Sequence, residues 1–339
     1  MKILVAGGAG YIGSHTCVAL IEAGFEPIIL DNLRNSHPLV LSRIEAITGK
    51  RPQFFNCDIA DNKTVKNILK ENKCSAVIHF AGLKAVGRSV SEPLETYREN
   101  VASSLNLLQT LGDAGLKRVI FSSSATVYGD AKQTPIPETS IIQPTNPYGH
   151  SKAMVEQILM DLAASDPAWG IGILRYFNPV GAHESGEIGE DPQGTPDNLL
   201  PYVSQVAVGH RERLQVFGDD YETTDGTGIR DYIHVMDLAE GHVAALKACL
   251  KLDGVFAVNL GTGNGSSVLE VIGAFEAASG KKIPYDIVDR RPGDVATSFA
   301  DPSKAMEFLN FKAERNLKDM CGDAWNWQRR NPTGYSNQK

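Results

Sequence analysis

A glycine-rich segment directly after the first apolar run constrains the fold of this chain more than any other feature. Residues 3–6 form the apolar run, and glycines follow at positions 7, 10 and 13, ahead of a segment with helical spacing. In a strand–turn–helix unit, Gly7 permits the tight turn, Gly10 lets backbone N–H groups approach a pyrophosphate, and Gly13 lets the helix lie close to the strand. The spacing therefore predicts a dinucleotide-binding unit at the start of the chain.

An acidic residue ends the second apolar run, 18 residues beyond Gly13. Asp31 lies where a carboxylate can accept hydrogen bonds from both ribose hydroxyls of a dinucleotide, and its charge would repel a 2′-phosphate. This favours NAD over NADP. Arg34 follows three residues later, and an arginine near this position can accommodate a 2′-phosphate, so NADP stays open from these residues alone.

Short apolar runs alternate with helical-period segments through the first half of the chain. This alternation predicts an α/β fold, a doubly wound parallel Rossmann sheet. From residue 178 onward the texture changes to loops rich in Gly, Pro, Asp and Glu, which predicts a second, smaller α/β domain. We expect an NAD-binding domain over residues 1–177 with a return segment near 230–260, and a second domain over residues 178–339.

Charge and cysteine usage exclude several function classes. The 339 residues carry 33 Lys and Arg against 40 Asp and Glu, a net charge of −7, so no global field attracts nucleic acid or a membrane surface. The N-terminal apolar run is too short for a signal peptide. Five cysteines without a CxxC pair and eight histidines without an HExxH motif indicate neither a disulfide framework nor a metal site. We therefore expect a cytoplasmic protein that needs no metal.

A serine-rich strand end and a tyrosine–lysine pair predict the chemistry. Residues 122–124 are all serine and close an apolar run, and Tyr148 and Lys152 lie four apart at the start of a helical segment. A nearby ammonium lowers the pKa of a phenol from its usual value near 10, which makes a phenolate accessible. A phenolate beside NAD can take the proton of a carbinol as hydride leaves its carbon, while a serine hydroxyl holds the same oxygen. These residues predict alcohol oxidation.

The motifs GGAGYIG, SSS and YGHSK resemble the extended short-chain dehydrogenase/reductase family. Longer strings, among them SSSATVYG at 122–129, RYFNPVGA at 175–182 and RDYIHV at 230–235, resemble its UDP-glucose 4-epimerase branch along almost the whole chain. The resemblance implies an isomerase of galactose metabolism whose bound NAD is reduced and reoxidised in each turnover. It further implies epimerisation at C4 of a UDP-hexose through a 4-keto intermediate, in a homodimer formed by helices around 91–111 and 148–164.

The same resemblance assigns roles to individual residues. Tyr148 is the base for the 4-hydroxyl, Lys152 holds the nicotinamide ribose and lowers the pKa of that tyrosine, and Ser124 binds the reacting oxygen. Of the adjacent residues Glu99 and Asn100, we assign the cofactor contact to Asn100 and leave Glu99 as the alternative. The cofactor contacts are Gly7, Gly10, Tyr11, Ile12, Gly13, Asp31, Asn32, Leu33, Arg34, Asn35, Ser36, Asp58, Ile59, Phe80, Ala81, Gly82, Leu83, Lys84, Asn100, Ser122, Ser124, Tyr148, Lys152 and Phe177. The UDP-sugar contacts are Lys84, Ser124, Tyr148, Asn178, Asn198, Leu199, Gln215, Val216, Phe217, Arg230, Arg291, Asp294 and Ser298.

One position bears on the choice of sugar, and three alternative functions are weighed against C4 epimerisation. Ser298 falls where some members of the family carry tyrosine, and a small residue there implies room for an N-acetyl group at C2, hence UDP-GlcNAc and UDP-GalNAc as further substrates. Nucleotide-sugar 4,6-dehydratases need an Asp-Glu pair after the strand-end Ser or Thr, and here Ala125 and Thr126 follow Ser124. UDP-glucuronate 4-epimerase stays an alternative. A non-enzymatic NAD sensor is disfavoured because it would not need Tyr148 and Lys152.

Overall fold

Seven parallel strands form the central sheet of the protein. The computed structural model describes residues 1–291 and 293–337. The strands run in the order β3-β2-β1-β4-β5-β6-β10, and every neighbouring pair is parallel. This confirms the predicted α/β, doubly wound architecture. Their bounds are β1 Lys2–Ala6, β2 Glu26–Asp31, β3 Gln53–Asn56, β4 Ala76–His79, β5 Arg118–Ser124, β6 Gly170–Tyr176 and β10 Gly254–Leu260.

Helices cover both faces of this sheet because its strands are buried on both sides. Successive residues of β1 point to opposite faces: Ile3 and Val5 pack under one helical layer, and Leu4 and Ala6 under the other. The first layer holds α1 Tyr11–Glu22, α2 Leu39–Thr48 and α9 Val235–Cys249. The second layer holds α3 Asn62–Asn72, α6 Ser103–Asp113 and α7 Pro147–Ser165.

Shorter helical segments connect these elements. Between β4 and α6 the chain forms α4 Val86–Ser91, α5 Pro93–Tyr97 and a π-helix at Arg98–Ala102. A 3₁₀-helix at Ala125–Tyr128 follows β5, α11 Ser303–Leu309 packs near β10, and a last 3₁₀-helix spans Gly334–Asn337.

A smaller assembly of strands and helices has its own core. Val203, Val216, Val271, Phe275 and Cys321 are among its buried residues. The predicted domain division, with its return segment, stays a prediction; β10 pairs with β6 in the large sheet. The strands of the assembly are β7 Asn178–Val180, β8 Leu214–Phe217, β9 Ile229–His234, β11 Gly265–Ser267, β12 Tyr285–Val288 and β13 Thr297–Ser298. Its helices are α8 Leu199–Ala207, α10 Val268–Ser279 and α12 Leu317–Arg330.

The sheet topology determines where a ligand can bind. β1 lies between β2 and β4, so the connections that leave these strands run to opposite faces of the sheet. The segments that follow β1 and β4 therefore diverge at their carboxyl ends and leave a crevice between them. In open α/β sheets this crevice is the ligand site. β7 directly follows β6, so the smaller assembly begins at the carboxyl end of that strand.

Candidate active site

The glycine turn after β1 forms a cradle that side chains would fill. Gly7 has a φ of 79°, and its N–H donates to the carbonyl of Leu30 at 2.8 Å. A Cβ at Gly7 would lie 2.8 Å from the backbone nitrogen of Ala81, and a Cβ at Gly13 would lie 2.3 Å from the carbonyl oxygen of Gly7. α1 begins at Tyr11 without a side-chain cap, so the N–H groups of its first turn are available to an anion. The cradle fits the pyrophosphate of a dinucleotide.

Asp31 is fixed in place by the loop that follows it. One carboxylate oxygen accepts from the Leu33 N–H at 2.9 Å and from the Ser36 hydroxyl at 2.8 Å, and the other accepts from the Ala9 N–H at 3.0 Å. Leu33 adopts a left-handed φ of 58° in this tight loop. The carboxylate is thus oriented at the carboxyl end of β2, where it can bind ribose hydroxyls.

Most of the predicted cofactor residues line one cleft at this edge of the sheet. Tyr148 and Lys152 reach the same cleft from α7. Five segments that are separate in the sequence therefore meet at this edge, as the sheet topology requires. The predicted residues that line it are Gly7, Gly10, Tyr11, Ile12, Gly13, Asp31, Asn32, Arg34, Asn35, Ser36, Asp58, Ile59, Phe80, Ala81, Gly82, Leu83, Lys84, Tyr148 and Lys152.

Five predicted cofactor residues, Leu33, Asn100, Ser122, Ser124 and Phe177, are not among the residues that line this cleft, and their contact with the cofactor stays a prediction. The Ser122 side chain is buried against His242, and Phe177 packs in a core cluster with Tyr128. Leu33 packs against the first helical layer. Asn100 is buried and holds the backbone of Leu83 through two hydrogen bonds of 2.7 and 3.0 Å, so it supports the wall, while its neighbour Glu99 lines the cleft.

Several lining residues were missed by the sequence analysis. Tyr176 ends β6 and could have been found by the strand-end argument that identified Ser124. Glu190 comes from a loop without periodicity, and no local signal marks it. The other missed lining residues are Ala9, Leu30, Cys57, Ser103, Asp191 and Pro192.

Tyr148 and Lys152 occupy the first turns of α7. Asn146 caps this helix by accepting from the Gly149 N–H at 2.9 Å, and Pro147 takes its first position. The Nζ of Lys152 donates to the Ser122 carbonyl at 2.8 Å and lies 5.8 Å from the Tyr148 ring centroid. Ser124 is buried at the end of β5, beside the 3₁₀-helix. The three residues of the predicted catalytic set are brought together.

Burial governs the protonation of this pair. Removal from water raises the pKa of the Tyr148 phenol, the nearby Tyr176 raises it further, and a hydrogen bond with Ser124 opposes both. Burial also lowers the pKa of Lys152 to about 8. The direction for Tyr148 is opposite to the one expected from an adjacent ammonium, because desolvation disfavours the phenolate.

A buried series of hydrogen bonds through Ser122 and His242 supports Lys152 on the side away from the cleft. The Ser122 hydroxyl lies 3.0 Å from Nε2 of His242, whose Nδ1 is 2.8 Å from the Leu238 carbonyl. Since Nδ1 must donate to that carbonyl, Nε2 accepts from Ser122. The His242 ring also packs 4.8 Å from that of Phe80. His242 therefore holds two parts of the cleft wall.

The predicted UDP-sugar residues form three groups. Arg230 of β9 pairs with Ser298 of β13 in register and lies 3.8 Å from the Asp294 carboxylate. The Arg291 guanidinium lies 3.8 Å from the ring centroid of Phe217, and Gln215 belongs to the same strand. Val216 between them is buried in the core, so its side chain cannot contact a ligand.

The third group approaches the cofactor cleft through Glu190. Its carboxylate accepts from Lys84 at 2.7 Å and from Asn198 at 3.4 Å. Asn198 precedes Leu199, the first residue of α8. The exposed Asn178 begins β7 directly after the cleft-lining strand β6. Glu190 thus connects predicted cofactor and substrate segments.

Other parts of the surface offer weaker sites. A groove of about 710 Å³ lies between α1, α9 and α11, but its residues Glu22 and Ala23 adjoin the amino end of β2, opposite the crevice. Within the described ranges, no group of three or more His, Cys, Asp or Glu could hold a metal ion. No helix among residues 1–291 and 293–337 combines the length and apolarity needed to cross a membrane.

Comparison with known proteins agrees with this geometry. The sequence model of the family described as GDP-mannose 4,6 dehydratase matches residues 4–324. UDP-glucose 4-epimerase of Bacillus subtilis is 56% identical over 335 residues, which are 99% of both chains. The enzyme of the same name from Pasteurella multocida is 57% identical over 336 residues, 99% of both chains. A crystal structure of UDP-glucose 4-epimerase from Bifidobacterium longum in complex with NAD⁺ and UDP superposes with a TM-score of 0.96, at 53% identity over 99% of this chain and 100% of the other.

Proposed function

This chain belongs to the UDP-glucose 4-epimerases, a branch of the extended short-chain dehydrogenase/reductase family, and we propose which of its residues carry out the NAD-dependent epimerisation of UDP-hexoses at C4. The observation that carries the proposal is that Tyr148 and Lys152 line a cleft that fits a dinucleotide, with Ser124 hydrogen-bonded to Tyr148. The substrate interconversion is UDP-galactose to UDP-glucose through a 4-keto sugar.

The three side chains divide the proton chemistry among them. When bound, NAD supplies the hydride acceptor and later the hydride donor for C4, together with a positive charge beside the phenol. Tyr148 takes the proton of the 4-hydroxyl and returns it after the keto sugar has rotated. Ser124 donates a hydrogen bond to the same oxygen. Lys152, whose pKa burial lowers to about 8, holds the ribose and favours the phenolate by its charge when protonated.

The residues after β5 separate this reaction from dehydration, although the matching family model carries a dehydratase name. Elimination of water needs an additional acid beside the strand-end hydroxyl. Here Ala125 and Thr126 follow Ser124, and the Thr126 hydroxyl donates to the Ser124 oxygen at 3.0 Å. Neither side chain can act as that acid. UDP-glucuronate is not favoured as the substrate, because full-length relatives at 56–57% identity are named for the glucose epimerase.

Two arginines suit the diphosphate of the nucleotide sugar. Arg230 and Arg291 each offer a planar fork of donors. Among residues 1–291 and 293–337, Asp294 is the one carboxylate within 4.0 Å of the Arg230 guanidinium, at 3.8 Å, and no carboxylate lies within that distance of Arg291. Arg291 lies on the ring of Phe217 and is positioned by it. Ser298 pairs with Arg230 in register, so its small side chain leaves room beside this site for an N-acetyl group. We include UDP-GlcNAc and UDP-GalNAc as substrates.

We also propose a homodimer that forms through the helices on one side of the sheet. Val90, Leu94, Leu105 and Met154 belong to α4, α5, α6 and α7, and these apolar residues are 46–79% exposed. Covering these apolar residues would stabilise a dimer.

We place the protein in the cytoplasm, where its free cysteines would stay reduced. Fractionation of the source cells tests this location.

Incubation of the purified protein with UDP-galactose, without added cofactor, tests the proposed function. We expect UDP-glucose, detected by NMR, because NAD copurifies and is recycled. A parallel reaction with UDP-galacturonate addresses the alternative, and we expect no product there. Absence of UDP-glucose both without and with added NAD would refute the proposal.

A further inference from the structure

Arg34 places a cation in the loop that binds the ribose. It follows Asp31 by three residues, lines the cofactor cleft, and its side chain is 42% exposed. A free guanidinium near this position is what NADP-dependent Rossmann proteins use for the 2′-phosphate. Such a phosphate carries a charge of about −1.5 to −2. The sequence alone therefore leaves the choice between NAD and NADP undecided.

The structure shows that the charge of Arg34 is already engaged. Its two terminal nitrogens bind different carboxylates, one from Glu95 and the other, at 3.0 Å, from Glu99. Both acids come from the helical segment that follows β4, on the opposite side of the cleft from the loop of Arg34. The guanidinium is thus held by two carboxylates at once.

A local irregularity of the backbone directs Glu99 to this contact. Residues 98–102 form a π-helix, a conformation that occurs mostly as a single turn at functional sites. Within it, Asn100 is buried and bonded to Leu83, whereas Glu99 faces the cleft and Arg34. Glu95 is held from a second side by Arg88 at 2.8 Å, and Arg88 in turn binds Glu92 at 2.7 Å.

These contacts make the ribose end of the cleft negative. Arg34 binds the carboxylates of Glu95 and Glu99, Asp31 adds a third carboxylate to the same loop, and Arg88 binds Glu92 as well as Glu95. Two negative charges remain uncompensated near the place where a 2′-phosphate would lie. A 2′-hydroxyl meets no such penalty, since it can donate to Asp31.

We propose that Glu95 and Glu99 determine cofactor choice, because by binding Arg34 they withdraw the one charge in this loop that could accept a 2′-phosphate. The inference rests on the NAD site of the proposed function. It adds two residues, outside the glycine turn and Asp31, to the determinants of that site. Glu99 lines the cleft, and the side chains of Glu95 and Glu99 are 25% and 26% exposed.

The test measures which nucleotide the protein retains. Wild type and the double variant Glu95→Gln/Glu99→Gln are first freed of copurified nucleotide and then incubated at low ionic strength with an equimolar mixture of NAD⁺ and NADP⁺. After desalting, acid releases the bound nucleotides, which are separated by chromatography. We expect the ratio of NADP to NAD to rise by roughly tenfold or more in the double variant, a change in relative affinity that exposed charges of this number can produce.

Two controls separate the role of Arg34 from a general loss of negative charge. Glu92→Gln removes a charge from the same segment without touching Arg34, and we expect the wild-type ratio. The triple variant Arg34→Ala/Glu95→Gln/Glu99→Gln lacks the released guanidinium, and we expect the gain to disappear.

An unchanged ratio in the double variant, with NAD still retained, would overturn this inference and leave the proposed function intact. A gain that persists without Arg34 would also overturn it. Retention of neither nucleotide by wild type would instead contradict the cofactor site itself.

Discussion

Lys152 and His242 are bound to opposite ends of the same residue, Ser122. The Nζ of Lys152 donates to its carbonyl oxygen at 2.8 Å, and Nε2 of His242 accepts from its hydroxyl at 3.0 Å. His242 lies on α9, in the helical layer opposite the one that carries Lys152. Its ring packs against Phe80 and lies 6.1 Å from Tyr176, and both of these line the cofactor cleft. The position of the lysine is therefore supported through the thickness of the sheet.

Replacement of His242 should lower turnover although the imidazole touches no ligand. In His242→Phe the Ser122 hydroxyl loses its acceptor, and the buried chain behind Lys152 relaxes. We expect kcat to fall by about tenfold while KM for UDP-galactose stays within about twofold. His242→Gln, which can still accept from Ser122, should recover most of the activity. Steady-state kinetics of both variants check this, and equal kcat values for Phe and Gln would contradict a positioning role.

Tyr148→Phe should separate catalysis from cofactor binding. The phenol is the proposed base, and loss of such a group costs about 10²–10⁴-fold in rate. Phe keeps the ring that packs at the start of α7, so the cleft should still hold NAD. We expect nearly complete loss of UDP-galactose turnover with an unchanged content of acid-released NAD per protomer. A variant that keeps more than a tenth of wild-type kcat would refute the proposed role of Tyr148.

The parts of the site that follow strand ends could be predicted from the sequence. The glycine turn, Asp31 and the Tyr148–Lys152 pair depend on local spacing, and the parallel sheet brings their segments to one edge. The sequence does not show which side of the wall a residue occupies. Asn100 and Ser122 are predicted to contact the cofactor, but neither lines the cleft, and their side chains bind Leu83 and His242, which lie 17 and 120 residues away in sequence.

The loop residues that line the cleft could not be predicted from the sequence, for a different reason. Glu190 lies in a segment with neither helical nor strand period, and its role depends on a contact with Lys84, 106 residues earlier. The π-helix at Arg98–Ala102 likewise leaves no mark in apolar spacing. Such features depend on tertiary contacts, which a periodic pattern does not encode.

Acid should destabilise the protein through its buried histidines. The contribution of one of them, His79, can be measured separately. Burial lowers its pKa to about 3, and its Nε2 lies 2.8 Å from the Ser104 hydroxyl. The unfolded chain takes up this proton below about pH 6.5 whereas the folded protein does not, so stability present above that pH is lost as pH falls toward 3. At full effect the slope is about 1.4 kcal/mol per pH unit for each such group.

His79→Gln removes this titration. We expect its free energy of unfolding, measured in urea between pH 5.5 and 4.5, to fall less steeply with acid than that of wild type, by about 1.4 kcal/mol per pH unit. His15 and His242, with pKa values lowered to about 3 and about 4, still titrate in both proteins. Parallel slopes for the two proteins would show that His79 carries a proton in the folded state.

Charges on the exposed apolar helices should disrupt the proposed dimer. Leu105 and Met154 lie on α6 and α7 and are each 46% exposed. In Leu105→Glu/Met154→Glu, a dimer would bury two carboxylates per protomer without partners, so we expect a monomer by sedimentation velocity. Met306→Glu is the matched control, since Met306 is 49% exposed but lies on α11. A wild-type monomer, or a double variant that stays dimeric, would refute this interface.

Ser298 gives the sharpest test of sugar preference. Its strand β13 is paired with β9, and the residue in register with it is Arg230, a proposed ligand of the diphosphate. A tyrosine at position 298 adds a ring of large volume beside this site, where an N-acetyl group at C2 would need the space. We therefore expect Ser298→Tyr to lose at least about 10²-fold in kcat/KM for UDP-GalNAc, because a steric clash in a packed site is costly.

The simple sugar has only a hydroxyl at C2, so its turnover should be little affected by the same substitution. We expect kcat/KM for UDP-galactose to change by less than about threefold, measured alongside UDP-GalNAc on one preparation. Ser298→Ala serves as the matched control, since it keeps the space and should keep both activities. If Ser298→Tyr retains the N-acetyl activity, the C2 substituent does not lie near residue 298. If wild type lacks that activity while epimerising UDP-galactose, the enlarged substrate range is refuted and the C4 reaction stands.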